Sequence, residues 1–271
     1  MKILFGSTMQ LEDTQNSHDS RNLPIDRVGV RQLRFPLRVR DRDHNVQSTV
    51  ATVALTVDLP HHFKGTHMSR FVEVLNSHGR LLDVDNVKEL CQELKNRLAA
   101  EEAHVQVEFP YFMEKSAPAT GAVGLMDYVA TFDATLGPKD FDLVTTVKVG
   151  VTTLCPCSKA ISTQGAHNQR GEVRLSVRAQ KLVWIEELIE MVESSASSEL
   201  YSLLKRPDEK VVTEKAYDSP VFVEDLVRAI AIKVSHDPRI SWYRVEAENF
   251  ESIHNHNAYA LIEMKEGELH G

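Results

Sequence analysis

The sequence predicts an α+β chain made of two tandem ββααββ units, each an antiparallel sheet with its helices packed on one face. Three observations carry that expectation. Apolar residues alternate at every second position in eight short segments, the period of half-buried strands. Stripes with helical spacing fall between successive pairs of those segments. The same order then runs a second time beyond the break at Gly137-Pro138.

Residues 1–25 read as a flexible arm, polar and without periodicity from Gln10 to Asn22. The first unit covers 26–138. It opens with Leu33, Phe35, Leu37 and Val39, and returns through Val53, Leu55, Val57 and Leu59 across the polar link Asp41-Arg42-Asp43-His44-Asn45, a hairpin pattern. A helix is expected from Ser69, a good N-cap, with Phe71, Val74 and Leu75 inward. A second follows Asp85 and aligns Val87, Leu90, Cys91, Leu94 and Leu98. Val105, Val107 and Phe109, then Tyr128, Ala130, Phe132 and Ala134, close the unit as two strands.

The second unit covers 139–271. Val147, Val149 and Val151 mark one strand, and Val173, Leu175, Val177 and Ala179 the next. A long helical stretch is expected from Trp184 to Leu204. Another helix is expected to start at Ser219-Pro220, a cap followed by proline at the first helical position, with Val223, Leu226, Val227, Ile230, Ala231 and Val234 inward. Tyr243, Val245 and Ala247, then Ala258, Ala260, Ile262 and Met264, form the last strands. Four-stranded sheets leave open edges, which proteins pair or cover, so joining the halves and then the subunits into an oligomeric barrel is the expectation.

Composition narrows the function. With 271 residues, 42% hydrophobic and 26% charged, the chain can bury a real core. No apolar run approaches the ~20 residues of a membrane helix, and Met1 to Gly6 lacks the features of a secretory signal, so a cytoplasmic location is expected. Three cysteines do not make a disulfide framework. A net charge of −8 argues against broad nucleic-acid binding but leaves room for a local basic pocket holding a small polyanion.

Function is expected where the halves differ. The first unit's opening hairpin turns in about five residues, whereas its counterpart runs from Leu154 to Gly171 and holds Cys155, Cys157, Lys159, His167 and Arg170. A thiolate and a neutral imidazole are good zinc ligands, so Cys155 and His167 could supply two and a later acidic residue the third. A buried, unreactive cysteine pair is the plain alternative, since Cys-Pro-Cys is not a structural zinc spacing. The last hairpin shows the same asymmetry. Met113 to Pro118 has no histidine, whereas Asn249 to Asn257 contains Glu251, His254 and His256, suited to proton transfer near neutral pH.

Other candidates have simpler explanations beside the functional one. Glu209, in Arg206-Pro207-Asp208-Glu209-Lys210, reads as a solvated residue between two helices. Glu224 suits the first turn of its helix through the helix dipole, and could also accept two N–H bonds from a guanine-like edge. Lys64-Gly65-Thr66-His67-Met68-Ser69-Arg70 is either a solvated basic turn or an anion site ahead of a helix. Arg38, Arg40 and Arg42 alternate as the exposed face of a strand.

Together, Thr153-Leu154-Cys155-Pro156-Cys157-Ser158-Lys159, Gly165-Ala166-His167-Asn168-Gln169-Arg170 and Glu251-Ser252-Ile253-His254-Asn255-His256 resemble the signatures of the type IB GTP cyclohydrolases. Lys64 to Arg70 and Asp218-Ser219-Pro220-Val221-Phe222-Val223-Glu224 fit the same family, and the match spans nearly the whole chain after the arm. The resemblance implies the tunnelling fold, two units per chain, in a homotetramer with sites at subunit interfaces. It implies conversion of GTP to 7,8-dihydroneopterin triphosphate with loss of formate, the first step of pterin and folate synthesis, using zinc or another divalent metal such as manganese. By position, Cys155, His167 and Glu209 would be metal ligands, and Glu224 would anchor the guanine. Glu251, His254 and His256 would move protons. Lys64, His67 and Arg70, from a neighbouring subunit, would hold the triphosphate, with Lys159 also on the substrate side. The implied chemistry is hydration at purine C8 by metal-activated water, protonation of N7 by His254 or His256, ring opening, release of formate and reclosure. Two rivals stand beside it. One is the tunnelling-fold nitrile reductase of queuosine synthesis, with a nucleophilic cysteine and NADPH; the other is a zinc-stabilised scaffold that only binds nucleotides.

Overall fold

A computed structural model of the chain describes residue 15 and residues 17–42, 46–82 and 86–264. Among the described residues, ten strands form one sheet. The strands of the first unit are β1 (Ile25–Val39), β2 (Gln47–Leu59), β3 (Leu81–Leu82), β4 (Ala103–Ser116) and β5 (Val123–Leu136). Those of the second are β6 (Phe141–Leu154), β7 (Asn168–Ala179), β8 (Ser198–Glu199), β9 (Ile240–Asn249) and β10 (Ala258–Glu263). The order β10-β9-β7-β6-β5-β4-β2-β1-β3, with β8 on β6, repeats one arrangement and joins the units through the antiparallel β5–β6 pair.

The alternation read from the sequence sets the faces. Val53, Leu55, Val105, Val107, Phe132, Ala134, Val147, Val149, Val173 and Leu175 point to one side and are closed to solvent or nearly so. The helices cover that side. Helices α1 (Met68–His78) and α2 (Val87–Leu98) serve the first unit, and α4 (Ile185–Glu193) and α6 (Val223–Ser235) the second. The other face carries Thr52, Gln106, Glu108, Lys148, Arg174 and Glu246.

The second unit departs from a plain ββααββ pattern. A short helix α3 (Pro156–Ile161) lies between β6 and β7, and α5 (Arg206–Asp218) lies between β8 and α6. The helix expected from Trp184 to Leu204 stops at Glu193. There Ser194 N still bonds Glu190 O, but Ser195 N turns back to Val192 O while Ser195 Oγ takes Met191 O, the carbonyl the next turn would need. Ser219 caps the end of α5 and does not start a helix; α6 begins at Val223 after Phe222. Likewise His67, not Ser69, is the N-cap of α1.

Other local expectations change too. The described part of the arm is tied down: Lys64 N donates to Ser17 O at 3.1 Å, Gly65 N to Gln15 O at 3.1 Å and Asp19 N to His62 O at 3.2 Å. Residues 1–14 and 16, and Asp43, His44 and Asn45 of the first link, lie outside the described residues. Arg42 is not merely a solvated strand residue, since it ion-pairs with Glu190 on α4 at 2.6 Å. β4 continues through Met113 to Ser116, so the first unit's last turn is only 117–122. No helix among the described residues is long and apolar enough to cross a membrane.

Candidate active site

At the end of β6 the chain leaves the sheet through Cys155, whose backbone N donates to His167 O at 3.0 Å. This bond extends the ladder one step past the Leu154–Asn168 pair, so the residues from 156 to 166 form a closed excursion. Pro156 opens α3, where its missing N–H costs no helical bond. Cys155 is the N-cap, its Sγ accepting from Ser158 N at 3.4 Å. Ser158 Oγ in turn accepts from His167 N at 3.2 Å. The thiol and the imidazole are thus held beside each other on two hydrogen-bonded strands, both half-buried, while Cys157 is exposed.

The imidazole is also held from behind. His167 Nδ1 lies 3.0 Å from Gln169 Oε1, and Gln169 Nε2 donates to Thr153 Oγ1 at 2.8 Å. Gln169 and Thr153 are both buried. A soft thiol, an imidazole and a buried partner on the second ring nitrogen are the donor set and support that a divalent metal such as zinc takes.

Two further segments reach the same end of the sheet. Val221 N, ahead of α6, donates to Leu154 O at 3.1 Å, which brings in the exposed Glu224 of the first turn of α6. The β9–β10 connection is pinned by Phe250 N to Arg170 O at 2.9 Å. Within it His254 Nδ1 is 3.3 Å from Glu251 Oε2, and the rings of His254 and His256 stack at 5.2 Å. Both histidines are exposed, and the Glu251 side chain is mostly covered.

Lys159 is engaged within the chain. Its Nζ donates to Tyr217 O, and its ammonium stands 4.2 Å from the centre of the Tyr217 ring, tying α3 to the last turn of α5. Glu209 is not in a connection between helices but in the first turn of α5, exposed, eight residues before Tyr217 and so roughly 12 Å away along the axis. Among the described residues no three His, Cys, Asp or Glu side chains stand together as a metal-binding group. Cys155 and His167 are therefore brought together within one chain without Glu209.

Lys64, His67 and Arg70 lie beyond Leu59, at the opposite end of the strands from Cys155. β2 alone has 13 residues, roughly 40 Å of strand. Lys64 is exposed, and Arg70 N donates to His67 O at 3.1 Å.

Several residues at this end escaped the sequence reading. Asp208 is fully buried and accepts from Lys205 N, Ala119 N, Thr120 N and Thr120 Oγ1 at 2.7–2.9 Å. Burial pushes its carboxyl up, but those donated bonds outweigh it and hold the pKa down at about 2. An acidic residue at the third position of a helix opened by Arg206-Pro207 was the available signal. Gln169 could have been noticed as the residue two beyond His167 on the same strand face. Asn249, buried with its Oδ1 accepting nothing, lies over Gly171, where a Cβ would stand 2.6 Å from that oxygen.

This fold and this site define a tunnelling-fold protein with a thiol–imidazole centre at one end of its sheet. Two solved structures share the fold. Uricase from Arthrobacter globiformis matches at a TM-score of 0.53 and 10% identity, over 90% of this chain and 94% of that one. Urate oxidase from Bacillus sp. TB-90 matches at 0.53 and 9%, over 89% and 100%. The family model described as type I GTP cyclohydrolase folE2 matches residues 11–260. The protein named GTP cyclohydrolase FolE2 in Akkermansia muciniphila is 62% identical over 257 residues, 94% of this chain and 97% of its own. Its namesake in Magnetococcus marinus is 55% identical over 255 residues, 94% and 96%. The chain belongs to the FolE2 family of type I GTP cyclohydrolases.

Proposed function

We propose that this chain converts GTP and water to 7,8-dihydroneopterin triphosphate and formate, the first step of pterin and tetrahydrofolate synthesis. The observation that carries the reading is the convergence of Cys155, His167, the start of α6 and the Glu251–His256 loop at one sheet end, joined by backbone bonds. It rests also on relatives that bear the name GTP cyclohydrolase FolE2 along their whole length.

Cys155 and His167 would hold a divalent metal, zinc or manganese, with Glu209 the third ligand once the site is fully assembled. Bound there, the metal would supply Lewis acidity towards water near neutral pH, for attack at purine C8. Glu224 accepts two N–H bonds from the guanine edge and fixes the ring. His254 or His256, both open to solvent, gives a proton to N7, and the pair exchanges protons as the imidazole ring opens and formate leaves. Glu251, at hydrogen-bond range of His254 Nδ1, orients that ring and serves the same proton transfers.

The triphosphate falls to Lys64, His67 and Arg70 of a neighbouring copy, because within one chain they sit at the far end of the strands. Ile161 at 86% exposure and Ile253 at 65% flank the site and suit cover by that copy. The assembly is a homotetramer whose polar sheet faces line a barrel, in the cytoplasm where GTP is supplied.

The test is chelation of the protein, reconstitution with single metals, and incubation with GTP. Formate and a fluorescent pterin should form in equal amounts, disappear with chelator and return with metal. GTP left intact under every metal would overturn the reading.

A further inference from the structure

We infer that Gln169 is a positioning residue that decides which ring nitrogen of His167 is available to the metal; the inference rests on the metal role proposed for His167. A neutral imidazole has one protonated nitrogen and one lone pair, and only the lone pair binds metal. The atom 3.0 Å from His167 Nδ1 is Gln169 Oε1, an amide oxygen that can only accept. Gln169 thus occupies Nδ1 and, in this orientation, calls for the proton there, leaving Nε2 open with its lone pair.

A glutamine can turn over and present its NH2 instead, which would place the imidazole proton on Nε2 and block ligation. Thr153 anchors the far end of the amide, although its hydroxyl, which both donates and accepts, would serve either orientation. Gln169 Nε2 donates to Thr153 Oγ1 at 2.8 Å, and the two residues face each other across the β6–β7 ladder. Their exposures, 7% for Gln169 and 0% for Thr153, leave little water to replace a lost bond. The alternation of the two strands explains the arrangement. Thr153 and Cys155 lie two apart on β6 and its extension, and Gln169 and His167 two apart on β7 and its extension. The ligand pair therefore sits one step above the pair that orients it.

The experiment uses the whole chain. Metal-free protein carrying 15N-labelled histidine is examined by NMR above the pH of histidine titration, with the His167 signal identified by its loss in His167→Ala. Zinc affinity is measured by competition with a chelator. Wild-type His167 should carry its proton on Nδ1. Gln169→Met should move it to Nε2 and weaken zinc binding about 10- to 100-fold, the usual cost of losing such a partner. Gln169→Glu, which keeps an acceptor, should restore the Nδ1 proton and hold affinity within about threefold. Thr153→Val, which removes the anchor at the far end of the amide, should loosen Gln169 and give an intermediate affinity. A wild-type proton on Nε2 overturns the inference whether or not the variants fold. So does zinc affinity in folded Gln169→Met within about twofold of wild type. Undiminished zinc binding in His167→Ala would instead sink the metal reading itself, whereas loss there with none in Gln169→Met sinks only the role of Gln169.

Discussion

The β4–β5 and β9–β10 connections occupy equivalent places in the two units and lie at the same end of the sheet. The first, 117–122, reads Ala-Pro-Ala-Thr-Gly-Ala and has no ionisable side chain; the second, 250–257, carries Glu251, His254 and His256. The first holds structure in place. Ala119 and Thr120 grip Asp208 at the start of α5. Strand ends of the same unit do likewise: Tyr111 OH donates to Glu186 at 2.6 Å, Tyr128 OH to Glu193 at 2.8 Å, and Lys115 pairs with Glu193 at 2.6 Å. The helices of the unit that holds Cys155, His167 and the 250–257 connection are thus fastened by strands and a turn of the other unit.

Substitutions on the two sides should therefore fail in different ways. Cys155→Ala should lower formate release on the order of 10³-fold, the loss of several kcal/mol of metal-derived stabilisation, with the melting temperature of the metal-free protein moved only by the loss of its weak cap bond to α3. His254→Ala and His256→Ala should each cost about 10²- to 10⁴-fold in formate release, without a stability change. Asp208→Ala should do the opposite. It strands three backbone N–H groups and should lower the melting temperature by roughly 4 °C or more, with activity falling only as far as α5 loosens. Equal effects of Cys155→Ala and Asp208→Ala on stability would erase the division of roles.

Acid sharpens the same contrast. Asp208 is held at about 2, below the ordinary carboxylate value near 4, so its clamp is fully present above about pH 4 and is lost as pH falls through 2. The melting-temperature gap between wild type and Asp208→Asn should stay constant from neutral pH to about 4 and close below it. A gap that closes between pH 7 and 5 would mean another group carries the clamp. Arg42→Ala should have the smallest effect, under about 1 kcal/mol in denaturant titration, because its pair with Glu190 is solvent-exposed.

How much of this was legible depends on how local each signal is. Strand alternation is written in consecutive residues, so the eight long strands and their inward faces could be read directly. The end of α4 could not, because Ile185, Leu188, Ile189 and Val192 set up a helical stripe that the serines after Glu193 interrupt without any Gly or Pro. Ser219-Pro220 is ambiguous on physical grounds, since proline is as common just after a helix as at its start. For the site, Cys155 and His167 lie on one loop and could be paired from sequence. Asp208 could not, because its partners Ala119 and Thr120 are almost ninety residues away and offer only backbone N–H groups.

The bond from Val221 N to Leu154 O has a further consequence. It joins the turn before Glu224 directly to the residue before Cys155, so the span between the start of α6 and the thiol is ruled by main-chain atoms. A change of side chain at 221 that keeps the backbone N–H leaves that bond available. The one natural replacement that removes the tie outright is Val221→Pro, which would leave each half of the ruler intact and its graduations misaligned.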